Sequence, residues 1–225
     1  MRNKTLTGIF LVAFLQVASS GLLAQENDAG LWTSVTIEKE VVKDLDVIVT
    51  EEVRFNENIT EAGAILTDAG LEYKVWKGFR AGLFYRYTCR RRLDDSYSRL
   101  HRVYSDLAYK QKIRRFELGY RARFQVQYKD FSTSETGHVP EWYFRQKLSV
   151  SYNTKSRFDP YLGCELWYWI DPVWSRFDNL RLTAGVNVRI TKIHSVDLGY
   201  LVNKEFNIAD PLTSWVVFAG YKLRL

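Results

Sequence analysis

The chain has 225 residues, a formal net charge of +6 and 26% charged residues. Its mean hydropathy is -0.26. Beyond residue 25 no apolar run approaches the ~20 residues of a spanning helix, which excludes a helical membrane protein but not a barrel with a polar lumen. The basic balance invites a nucleic-acid partner, yet the basic residues alternate with apolar ones instead of clustering, so no nucleic acid is expected.

The amino terminus reads Met1-Arg2-Asn3-Lys4, then an apolar run from Ile9 to Val17, then small residues ending Leu22-Leu23-Ala24. A charged start, a short apolar stretch and a cleavage site predict a secretory signal peptide over 1–24, cut before Gln25, with a single domain over 25–225.

Along the rest of the chain, period-two alternation predicts strands near 31–40, 45–55, 67–75, 79–90, 99–110, 115–128, 142–152, 158–169, 179–190, 195–203 and 213–225. Most have the length that crosses a bilayer at a tilt. In the cleanest of them Phe116, Leu118, Tyr120, Ala122, Phe124, Val126 and Tyr128 share one face, against Glu117, Gly119, Arg121, Arg123, Gln125 and Gln127 on the other. A soluble barrel would bury the first set and leave the second to water. Here the second set carries glycine as well, at Gly70, Gly82, Gly119, Gly163, Gly185, Gly199 and Gly220. Glycine and long charged side chains share a face when that face is a narrow lumen, because inward glycines relieve crowding and let the wall bend. The predicted fold is therefore all-β, a transmembrane antiparallel up-and-down barrel of ten to twelve strands, with its apolar face towards lipid. Aromatics at 15% suit interfacial girdles. Eleven segments result where an even number is the rule for bacterial barrels, and the 31–40 segment is the one to set aside or to join the wall only in part.

Short links near 42–44, 76–78, 111–114, 153–157 and 191–194 alternate with longer ones near 56–66, 91–98, 129–141, 170–178 and 204–212, which assigns the short links to the periplasm and the long ones to the exterior. The final strand carries Gly220-x-x-Leu223-x-Leu225, similar to the terminal signal read by the barrel assembly machinery, with Leu225 where an aromatic is usual. Other expected partners are outer-membrane lipid and the phosphates of lipopolysaccharide; the oligomeric state stays open. Cys89 and Cys164 fall on the lipid face of separate strands, where two free thiols are expected.

The lumen phase places Arg102, Asp106, Arg121, Arg123, Arg145, Lys147, Glu165 and Arg181 inside. The inward positions Arg145 and Lys147, then Glu165, then Arg181 form a plus–minus–plus row on neighbouring strands. Two functions fit: a cross-lumen ion-pair network that plugs and braces the barrel, or a narrow anion-preferring pore. The chain is expected not to be an enzyme, with no catalytic residue, cofactor or metal. The alternative is a lipid-modifying hydrolase using His101 near the outer rim, beside Ser98 and Ser105 and close in sequence to Asp94, Asp95 and Asp106. His138 and His194 read as solvated.

Short motifs along the chain carry a family resemblance. They are Leu31-Trp32, Glu52-x-Arg54-Phe55, Thr67-Asp68-x-Gly70-x-x-Tyr73, Arg99-x-His101-Arg102-x-Tyr104-x-Asp106-Leu107 and Arg121-x-Arg123. Arg145-x-Lys147, Pro160-Tyr161-x-Gly163-x-Glu165 and Arg181-x-x-x-Gly185 follow. With these the chain resembles the exported bacterial family catalogued as domain of unknown function 2490. The resemblance implies an outer-membrane β-barrel and no catalytic residues.

Overall fold

The computed structural model describes residues 26–92, 96–129, 140–171 and 173–225. The expected export signal at 1–24, and Asp94, Asp95 and His138, lie outside them. Eleven strands follow in order: β1 (Glu26–Val42), β2 (Leu45–Asn56), β3 (Glu61–Trp76), β4 (Phe79–Arg91), β5 (Tyr97–Ile113) and β6 (Phe116–Lys129). Next come β7 (Glu141–Tyr152), β8 (Phe158–Ile170), β9 (Arg176–Arg189), β10 (His194–Glu205) and β11 (Leu212–Arg224). Each pairs antiparallel with the next, and β1 meets β11 to close the barrel, so no edge is left for another chain.

The odd count has a geometric consequence. In an up-and-down barrel of eleven strands the first and last run the same way, so the closing seam is parallel, with Gly30 opposite Val216, Ser34 opposite Gly220 and Glu38 opposite Arg224. The even-numbered expectation is therefore corrected, and so is the setting aside of 31–40. That segment is a full wall strand, paired along its length with β2 on one side and β11 on the other. Two-residue turns at 43–44, 77–78 and 114–115 mark one end, the periplasmic one by the rule that short turns face inward to the cell. Gly78 is required in its turn: its φ is +83°, and a Cβ there would lie 2.4 Å from the Lys110 carbonyl oxygen.

The faces are inverted relative to a water-soluble barrel. Among the described residues the buried hydrophobics are Leu66, Tyr104, Leu201 and Val216, whereas the buried polar set is larger and includes Glu38, Asp68, Asp106, Arg123, Gln125, Arg145, Glu165 and Asn179. Leu83, Leu148, Leu162 and Val217 stand exposed on the outer wall. That exposure is natural only where lipid covers it. Aromatic pairs girdle this wall at both ends. Near the periplasmic turns Trp76 stacks on Phe79 at 4.3 Å and Phe116 tilts against Tyr152 at 5.1 Å. Towards the other end Phe124 meets Trp142 and Tyr168 meets Phe177. Cys89 and Cys164 are both free, and Cys164 is exposed on this wall.

Candidate functional site: the lumen and its outer vestibule

Period-two alternation on ten antiparallel pairings aims one residue in two at the axis, and long side chains then meet across the lumen. The centre of this arrangement is Glu165 on β8, only 3% exposed. Its Oε1 accepts from Arg121 Nη2 at 2.5 Å and its Oε2 from Arg145 Nη2 at 2.9 Å. Arg145 Nη1 also donates to Gln125 Oε1 at 3.2 Å, and its guanidinium lies 3.8 Å from the Trp167 ring centroid. A buried carboxylate with two guanidinium partners is charge-compensated, and the indole face takes up a cation that water no longer solvates.

The expected row is thus altered. In register, Glu165 stands directly opposite Lys147 on one side and Arg181 on the other. Neither is its partner. Arg121, which opposes Lys147 in register, spans two strand spacings, roughly 9.6 Å, to reach it. Arg181 turns away: its Nε donates to Asn203 Oδ1 at 3.1 Å, and its guanidinium sits 5.1 Å from the Trp32 centroid and 5.3 Å from that of Trp167. Arg54 covers Trp32 at 3.8 Å and is held by Glu52 at 2.5 Å. The sequence Glu165–Arg145–Trp167–Arg181–Trp32–Arg54–Glu52 is therefore one continuous stack of ion pairs and guanidinium–indole contacts. Lys147 lies towards the periplasm, its Cε 3.3 Å from where a Cβ on Gly163 would be.

A second cluster fills the opposite side. Arg123 donates to both carboxylate oxygens of Asp106 at 2.6 Å and lies 3.8 Å over the Tyr104 ring. The Tyr104 hydroxyl donates to Asp68 at 3.0 Å, Asp68 also accepts from Arg86, and Phe84 stacks on Tyr104 at 5.0 Å. Arg102 donates to Gln127, whose amide donates to Glu141 Oε2 at 3.1 Å, carrying the network outward. Trp32, Tyr104 and Trp167 anchor the lumen, a role that the sequence alone does not assign to them. Their inward phase was available, but an aromatic on a charged face carries no signal until its cation partner is known.

At the periplasmic end Glu38 is 1% exposed and paired with Lys222 and Arg224, tying β1 to β11 across the seam. In the terminal motif Gly220 faces inward opposite Asp197, Leu223 lies on the outer wall, and the Leu225 amide donates to the Glu38 carbonyl at 2.8 Å.

His101 is on the outer wall. Its Nδ1 lies 2.6 Å from the Tyr85 hydroxyl, and Tyr87 packs against its ring. Ser105 shares that wall four residues along, about 13 Å away at the strand rise. Asp106 points into the lumen, bound to Arg123. The geometry does not gather His101, Ser105 and Asp106 into one site.

Above the stack, on the long-connection side, lies a cavity of about 270 Å³ lined by Glu141, Tyr143, Trp167, Trp169, Arg176, Asp178, Asn179, Glu205 and Ile208. A bulge at Trp167/Tyr168 in the β8–β9 pairing shifts the phase there, which is why simple alternation does not foresee it.

Comparison with known proteins fits this architecture. A family described as "Protein of unknown function (DUF2490)" matches residues 29–213. The chain belongs to that family. Among curated proteins none matches. The solved β domain of the Bordetella autotransporter BrkA is similar in fold, with a TM-score of 0.50 and 10% identity over 82% of this chain and 85% of that one. LpxR from Salmonella typhimurium superposes with a TM-score of 0.48 and 7% identity over 79% of this chain and 83% of that one. The expectation that this chain is not an enzyme does not stand. Family and fold together place the protein in the bacterial outer membrane.

Proposed function

We propose that this family member is a braced outer-membrane barrel whose lumen is closed to diffusion across its middle. Residues 1–24 serve as the cleaved export signal, and Gly220, Leu223 and Leu225 engage the barrel assembly machinery. Lipopolysaccharide and membrane lipid surround the outer wall. The observation that carries the reading is Glu165, buried and shared between guanidinium groups from two other strands, with Arg145 and Arg181 both against Trp167. Arg145–Glu165 joins β7 to β8 and Arg121–Glu165 reaches past β7 from β6 to β8, so the network ties three wall strands together while it fills the lumen. Moving any one group aside for a solute would strand a charge in a site poor in water, which opposes opening. Light-scattering of proteoliposomes containing the purified barrel, challenged with small permeant anions, tests this. The expected trace matches protein-free vesicles; rapid anion-dependent swelling would give the site to an open, anion-preferring pore.

A further inference from the structure

Where the two lumen clusters meet, like charges face each other. Arg86 and Arg102 stand directly opposite on β4 and β5. Arg54 and Arg181, from the stack, join the same positive field: Arg181 lies in reach of Arg54 and Arg86, and Arg102 of Arg86, Arg54 and Arg123. Like charges directly across a ladder repel, so a wall built this way calls for a counter-charge.

The described carboxylates are already engaged. Glu52 is held by Arg54, and Asp68 by Arg86 and the Tyr104 hydroxyl. Asp106 goes to Arg123, and Glu165 to Arg121 and Arg145. Arg102 and Arg181 are left with neutral amides, those of Gln127 and Asn203. Four guanidinium groups against the two carboxylates Glu52 and Asp68 leave two positive charges over. Their free edges can be reached. Both Nη atoms of Arg54 and of Arg181, and Nη1 of Arg86 and of Arg102, make no hydrogen bond among the described residues, and none of them is an occluded atom. The Arg54 side chain is 26% exposed and that of Arg86 14%, so lumen water touches them. The indoles of Trp32 and Trp167 cover guanidinium faces, whereas the N–H groups point outward in the guanidinium plane, where the indoles do not block them.

The chemistry narrows the occupant. Chloride brings a single charge and no directed acceptors, and a carboxylate brings a single charge spread over its oxygens. A phosphate group carries about −1.5 to −2 charges at pH 7 on strong acceptor oxygens, which answers the surplus of the four arginines. Guanidinium forks match such oxygens in pairs, and they do so better than a point charge would. We propose that the centre of the lumen is a phosphate-binding site in which Arg54, Arg86, Arg102 and Arg181 receive a phosphate group, either as the free ion or as the phosphate of a lipid headgroup. The bound group bridges the two clusters and relieves the repulsion between Arg86 and Arg102. An open barrel would present the same four edges, so the site does not depend on whether the lumen conducts.

The test is isothermal titration calorimetry of the full barrel, refolded from urea into a non-ionic detergent in phosphate-free buffer so that no ligand is carried over. The probes are inorganic phosphate, glycerol 3-phosphate and glucosamine 1-phosphate, with sodium chloride at equal ionic strength as the control. Saturable binding of phosphate is expected, and none of chloride. Arg102→Gln and Arg181→Gln should each weaken it about tenfold, because charge-assisted hydrogen bonds are lost. Lys74→Gln, in a solvent-exposed pair at the periplasmic turns, should leave it unchanged. Phosphate should also raise the unfolding midpoint of the wild type more than that of either arginine variant, since a ligand of the folded state stabilises it by mass action. Binding of inorganic phosphate without the esters assigns the free ion; esters that bind as tightly or more tightly assign the headgroup. Absence of saturable binding by all three phosphates overturns the inference, as does an equal response to chloride. Unchanged affinity in both arginine variants, with folding shown by heat-modifiable gel mobility, overturns it too. If a variant fails to fold, the wild type decides alone: a midpoint that rises more with phosphate than with sodium chloride at equal ionic strength supports the site, and equal rises refute it.

Discussion

Replacing Glu165 by Gln removes one charge and almost no volume, so its effect reports charge compensation directly. Two cations lose their partner. Arg121 has a side chain 26% exposed and recovers part of its solvation from lumen water, so its share is about 0–1 kcal/mol. The Arg145 side chain is 5% exposed and keeps only the Gln125 carbonyl oxygen and the Trp167 face. An uncompensated buried charge of this kind costs about 3–5 kcal/mol. With a guanidinium m-value of ~2–6 kcal/mol/M, the unfolding midpoint should fall by on the order of 1 M. Tryptophan-fluorescence unfolding in lipid vesicles measures this. Asp44→Asn is the control, because its pair with Lys74 is solvent-exposed and worth about 0–1 kcal/mol. The Arg145→Met and Glu165→Gln double variant should be less destabilised than the sum of the two singles, since it leaves no fully buried stranded charge and only the part-solvated Arg121 without its partner. A midpoint for Glu165→Gln equal to that of Asp44→Asn, or strict additivity in the cycle, would refute the reasoning.

Other outcomes follow from the same geometry. Glu38→Gln should loosen the parallel seam by about 3–5 kcal/mol before solvent discount, and less in practice because Lys222 and Arg224 are about half exposed; hydrogen exchange should rise first in β1 and β11. Gly199→Ala should lower folding yield strongly, because a Cβ there would lie 2.5 Å from the Ala184 carbonyl oxygen and 2.7 Å from the Gly185 Cα, backbone atoms that cannot turn aside; refolding assayed by gel mobility decides it. Cys164, exposed on the outer wall beside Leu162, should react with a membrane-soluble maleimide in vesicles and resist a charged one; equal labelling by both would mean that the wall is not covered by lipid.

The two faces, the glycine phase and nearly all strand positions were legible in the alternation, because lipid and lumen impose opposite demands on successive residues. Arg121, Arg123, Arg145 and Glu165 were readable as inward for that reason. Their partners were not. Glu165 binds Arg121 from two strands away and leaves Arg181 to two indoles, a choice made by side-chain reach and aromatic position, which strand order alone does not encode. The parallel seam was hidden because β1 looks like any other strand until its second neighbour is known. The vestibule was hidden by the bulge at Trp167/Tyr168 and because Glu205, Ile208 and Arg176 come from the ends of strands and from connections, where alternation fades.

The closed lumen is tested most directly by single-channel recording of the purified barrel in a planar bilayer. Insertion of the wild type should leave the current at baseline under both polarities, with conductance steps appearing only when Glu165→Gln or Arg145→Met breaks the stack. Stable, anion-selective steps from the wild-type barrel would contradict the account.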